Sequence, residues 1–147
     1  MRRSLGVVLI LAITAAGARA ETGQAQLSVQ ATVPARVTLE AVEHPDRLDL
    51  SQADIERGYK QVSARYVVRE NTARGWLLRL SPRIGLTRHV EIHGLSRPLL
   101  LQADSVEVYQ PPARGAQALA LDYRFVLDPD ARPGSYALPI HISATPL

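Results

Sequence analysis

Three residues in the middle of the chain, His89, Glu91 and His93, have the types and spacing that chemistry would need. Alternation along an extended strand puts all three on one face, with neighbours at i and i+2 about 7 Å apart. Imidazole nitrogens and a carboxylate are good zinc or copper ligands, and adjacent members of such a row can share an ion. Three ligands in a straight line are too spread for one ion unless the strand bends, and His141 would have to come near to complete the set. A polar, solvent-facing side of a strand accounts for the same residues without a metal, so the sequence assigns no metal site here.

Other chemistry finds less support. The chain has no cysteine, which excludes thiolate metal sites and disulfide or redox chemistry. There is no Gly-x-Ser-x-Gly elbow, no phosphate-cradling glycine loop and no His-Glu-x-x-His helix. The carboxylates are scattered through turns, as on a solvated surface. No catalytic or cofactor-binding residue is assigned, and the expectation is a protein that is not an enzyme. Trp76, Tyr59, Tyr66, Tyr109, Tyr123 and Tyr136 raise a second class, a carbohydrate-binding or adhesive module with an aromatic platform. Most of these rings fall on the apolar side of their strands, where packing uses them. Tyr109, beside Pro111 and Pro112, is the one expected to be exposed.

The elements that must position these residues are strands. From Gln24 to Val33 the alternation is unbroken, with Ala25, Leu27, Val29, Ala31 and Val33 on one side and polar residues on the other. Pro34 interrupts it, and Val37 and Leu39 resume it. Val62, Ala64, Tyr66 and Val68 form a further strand, Asn71 to Gly75 a turn, and Trp76, Leu78 and Leu80 the next strand. Val90 and Ile92 point inward opposite the histidines, and one or two strands lie between Leu99 and Tyr109. After the Pro111 to Gly115 loop, Leu119, Leu121, Tyr123, Phe125 and Leu127 line one long strand, and Tyr136, Leu138, Ile140 and Ile142 line the last. Ser51 and Asp54 have capping-box spacing, so Ser51 to Arg57 is expected as a short helical turn, with a strand beginning near Tyr59. Seven to nine strands with almost no helix predict an all-β, immunoglobulin-like antiparallel sandwich.

The start of the chain reads differently. Arg2 and Arg3 precede an apolar run from Leu5 to Ala16, and Ala18-Arg19-Ala20 is a small-x-small cleavage site. The run is too short to span a bilayer, which needs roughly 20 apolar residues. Residues 1–20 are therefore expected to be a signal peptide and 21–147 a single sandwich domain, periplasmic or extracellular and not inserted in a membrane after cleavage. Cleavage removes Arg2, Arg3 and Arg19 and leaves 14 basic against 14 acidic residues. That balance argues against nucleic acid as a partner, whatever the precursor's high isoelectric point suggests.

Near the C-terminus, Pro133-Gly134-Ser135-Tyr136 before an alternating strand resembles the Pro-Gly-x-Tyr lead into the final strand of bacterial immunoglobulin-like domains. Proline and glycine make the tight turn, and Tyr136 then reaches the core side with its hydroxyl at the rim. Leu27 to Pro34, Leu48 to Tyr59 and Asn71 to Trp76 are similar to segments of pilin-like proteins of the spore coat U and archaic chaperone-usher type. The chain departs from them in having no cysteine pair and in ending Ala144-Thr145-Pro146-Leu147. The resemblance implies a structural or accessory subunit of a bacterial surface appendage. Its implied partners are a periplasmic chaperone, an usher or neighbouring subunits, met by strand pairing. The Gln24 to Val33 strand is the candidate for donation, although pairing within its own domain, and hence a monomer, is the expected arrangement.

Overall fold

The computed structural model describes residues 30–83 and 85–147. The expected signal peptide, residues 1–20, and most of the Gln24 to Val33 stretch lie outside them. Its described end does not form the expected strand, because residues 30–36 carry no regular element and are exposed. Pro34 explains part of this, since it cannot donate a ladder hydrogen bond. Asn71 ties down the backbone from Pro34 to Arg36: its side chain accepts from the Arg36 N–H at 2.6 Å and donates to the Pro34 carbonyl at 3.0 Å.

The regular elements then run β1 (Val37–Glu43), β2 (Arg47–Leu50), α1 (Gln52–Arg57), β3 (Tyr59–Glu70), β4 (Trp76–Pro82), β5 (Thr87–His93), β6 (Leu99–Leu101), β7 (Val106–Gln110), β8 (Ala116–Leu127), β9 (Gly134–Ala137) and β10 (Ile140–Pro146). Every strand pair is antiparallel. One sheet has the order β1-β3-β8-β5-β6, a second β10-β4-β7, and β2 with β9 makes a short ribbon. The all-β sandwich is thus as expected, with ten strands among the described residues rather than seven to nine. The surplus comes from short pieces, and one of them corrects the expected register of the chain's end. Tyr136 to Ile142 is not one strand: Leu138-Pro139 separates β9, which pairs with β2, from β10, which pairs with β4. Proline at that position cannot continue a two-sided ladder, so the chain changes sheets there.

The helical turn forms for the reason its sequence suggests. The Ser51 side chain accepts from the Asp54 N–H while the Asp54 carboxylate accepts from the Ser51 N–H, and Gly58 ends the turn with φ +80°. Inward residues of both sheets meet in one core. Ala64, Tyr66 and Val68 of β3, Val90 and Ile92 of β5 and Leu121, Tyr123 and Phe125 of β8 pack with Trp76, Leu78 and Leu80 of β4 and with Ile140. Two glycines allow close backbone approaches. A Cβ on Gly75 would collide with the Gln110 carbonyl oxygen, and one on Gly94 with that of Ala120.

The strand order can be set beside that of an immunoglobulin sandwich. An immunoglobulin sandwich places its first, second, fifth and fourth strands in one sheet and its third, sixth and seventh in the other. Here β1-β3-β8-β5 follows the first set, with β4 and β10 in the places of the third and sixth, whereas β6 beside β5 and β7 on the far edge of β4 have no counterpart in that order. Two details agree: Trp76 is buried on β4, and the Tyr136 hydroxyl donates to the Arg132 carbonyl at 2.8 Å, a tyrosine holding the corner before the sixth strand.

Candidate functional site

The row proposed from spacing exists, but as part of a larger arrangement. β5 turns His89, Glu91 and His93 away from the core, because Val90 and Ile92 are fully buried between them. His89 Nε2 and Glu91 Oε1 are 3.7 Å apart. His141 sits exposed on β10 in the other sheet, paired with Ser81. Among the described residues no group of three or more histidine, aspartate, glutamate or cysteine side chains converges as a metal site would require.

What spacing did not reveal is the company across the strands. In register, Glu91 faces Arg124 and His93 faces Asp122 on β8, and β8 in turn sets Arg124 beside Gln61 and Asp122 beside Ser63 on β3. The six side chains make two rows over the outer surface of the central strands. They line a recess of about 390 Å³. Within it Ser63 donates to Asp122 at 2.6 Å and the Arg124 guanidinium reaches Glu91 at 3.4 Å. Arg124 also lies 4.1 Å over the Tyr59 ring, with Arg57 5.2 Å from the same ring, so two cations frame one aromatic.

The remaining aromatics distribute largely as packing demands. Tyr66 and Tyr123 are buried with their hydroxyls 3.2 Å apart. Burial pushes both phenols up, Tyr123 the further, with the bond to Tyr66 adding to the rise. Neither is a proton donor near neutral pH. Trp76 is buried with its indole N–H unpaired among the described residues, Tyr136 is half-buried, and Tyr109 is exposed as expected. One exposed ring makes no platform.

Two carboxylates are held below the usual range, Asp54 well below it, both by structural bonds. The backbone N–H of Ser51 is the main cause for Asp54, followed by Lys60. The Thr72 hydroxyl is the main cause for Glu70, followed by the Ala113 N–H, which ties the Pro111 to Gly115 loop to the end of β3. Serine hydroxyls with side-chain partners bond to carboxylates, to another hydroxyl or to Arg47, and among the described residues none bonds to a histidine.

A different kind of site lies at the rim of the sandwich. Among the described residues β10 pairs with β4 on one side only. Its other edge approaches β1, and among the described residues it carries no hydrogen-bonded ladder. Val37 and Leu39 of β1 and Ile142 and Ala144 of β10 are half-buried there and packed against the core. In an immunoglobulin sandwich the seventh strand occupies this position. Compared with protein families, with curated proteins and with solved structures, the chain matches none.

Proposed function

We propose that the chain is an exported, non-enzymatic structural or accessory subunit of a bacterial surface appendage, joined to its partners by strand addition at the rim between β1 and β10. The observation that carries this reading is the edge of β10, which has a strand neighbour on one side only among the described residues. An unpaired edge with half-buried apolar residues beneath it is a template for an added strand. The chain carries a suitable strand in its Gln24 to Val33 stretch, where Leu27, Val29 and Val33 alternate with polar residues. Burying three such side chains stabilises a complex by roughly 1.5 to 3 kcal/mol each, before the cost of ordering the segment. The lack of any match among known families leaves the pilin-like resemblance to stand on its motifs and on this topology.

The test removes residues 21–32 from the mature protein; Val33–Leu147 clusters as its own compact unit. The truncated protein is expected to keep its β-sheet circular dichroism but to aggregate or require a chaperone. A synthetic peptide of residues 21–33 is expected to restore solubility and to slow amide exchange along β10. A truncated protein that stays soluble and monomeric, with no protection from the peptide, contradicts the reading.

A further inference from the structure

The recess over β3, β8 and β5 has a chemistry that strand addition does not use. Elsewhere on the same face charges are matched or absent. Arg65 pairs with Glu43 at 3.5 Å, Arg69 pairs with Glu40 at 2.7 Å, and Ala116, Ala118 and Ala120 make the neighbouring half of β8 small and flat. Unspent hydrogen-bonding capacity is concentrated in the recess. Asp122 receives one bond, from Ser63, and has a second carboxylate oxygen. Gln61 and His93 make no side-chain hydrogen bond among the described residues, and Arg124 gives Glu91 one of its five N–H groups.

The positions are also rigid. All six residues stand on strands paired in unbroken register between Gln61 and Ser63, Asp122 and Arg124, and Glu91 and His93. Arg124 is further held over Tyr59. Donors and acceptors therefore alternate over a fixed concave surface of about 390 Å³, within the range of small-molecule sites.

The mixture selects the ligand class. Two carboxylates disfavour an anion, the lining is too polar for an apolar ligand, and no three metal-ligating groups converge among the described residues. A hydroxyl group both donates and accepts, so neighbouring hydroxyls can donate to Asp122 and Glu91 while accepting from Gln61, Arg124 or His93. We propose that this recess is a binding site for a neutral, polyhydroxylated ligand, a sugar unit of a glycan. It is separate from the rim between β1 and β10 and gives the protein a second surface for contact.

The experiment is an amide NMR titration of the mature protein with the methyl glycosides of glucose, galactose, mannose and N-acetylglucosamine. N-acetylneuraminic acid and zinc chloride serve as contrasts. At least one neutral glycoside is expected to give saturable shifts below roughly 10 mM, centred on Ser63, Asp122, His93 and Arg124. Asp122→Asn and Gln61→Ala, both at exposed positions, are each expected to weaken that binding about tenfold with the rest of the spectrum unchanged. Tyr109→Ala is expected to leave it unaltered. The proposal is overturned if no neutral glycoside shifts these residues, if the shifts centre on Tyr109, or if only zinc or the anionic sugar binds.

Discussion

Replacing Asp54 by alanine removes the most heavily used buried polar group among the described residues. Its carboxylate accepts from the Ser51 N–H at 3.0 Å, the Ser51 hydroxyl at 2.7 Å, Lys60 at 2.9 Å and Arg57. The group itself is almost wholly buried, whereas the Lys60 and Arg57 side chains are 30% and 50% exposed. Those cations can rehydrate once the carboxylate is gone, so the ion pairs are discounted to about 1 kcal/mol together. Loss of the reciprocal cap costs about another 1 to 2 kcal/mol. The expected total of about 2 to 3 kcal/mol is a large share of a domain's stability of roughly 5 to 15 kcal/mol. In urea this moves the midpoint down by about 1 to 2 M with an unchanged slope. Asp54→Asn keeps a capping side chain and should lose only about half as much.

The acid dependence follows from the direction of the Asp54 shift. Its folded pKa lies below the unfolded value of about 3.9, so its contribution is full above that pH and is lost as the pH falls below it. The gap between the parent protein and Asp54→Ala should hold from pH 7 to pH 5 and shrink below pH 4. A midpoint unchanged by the substitution, or a gap of constant size down to pH 3, refutes the cap and its ion pairs as the source of stability.

Tyr136→Phe removes the bond to the Arg132 carbonyl and should cost about 1 kcal/mol, while Tyr136→Ala should cost about 2 kcal/mol, less than a fully buried ring because Tyr136 is half-buried. Equal melting temperatures for parent and Phe variant would dismiss the corner. Gly94→Ala forces a side chain into φ +98° and against the Ala120 carbonyl, so its melting temperature should fall by roughly 5 to 15 °C, and a fall under about 2 °C would contradict the close packing of that turn on β8. If residues 1–20 are a cleaved signal peptide, mass spectrometry of the protein recovered from its host should find Glu21 at the N-terminus, and intact Met1 on membrane-bound protein would refute that reading.

Most strands were legible because each has one buried face. Leu121, Tyr123 and Phe125 alternate with Asp122 and Arg124, and the burial of β8 follows that alternation to the residue. The turn at Ser51 was legible for a local reason, since a cap is made by residues three apart. The recess was not legible, because it depends on register between β3, β8 and β5, strands that are distant in sequence. His89, Glu91 and His93 announced one column of it, but nothing in spacing says that Arg124 and Asp122 stand opposite, or Gln61 and Ser63 beyond. The division of the last strand was missed because Tyr136, Leu138, Ile140 and Ile142 keep perfect period two across Pro139, and periodicity reports which face is buried without naming the sheet. Residues 30–33 carry no regular element although they continue the alternation, because alternation marks a segment able to pair and does not say where it pairs.

The central claim, that subunits meet by strand addition at the rim between β1 and β10, is tested most directly by the size of the intact mature protein before and after detergent and heat. Strand addition through a full set of main-chain hydrogen bonds predicts species larger than the monomer by light scattering on size exclusion. It also predicts ladders on unheated detergent gels that collapse to one band on boiling and vanish when residues 21–32 are deleted. A single monomeric species at high concentration, with no chaperone bound and no ladder at any temperature, would contradict it.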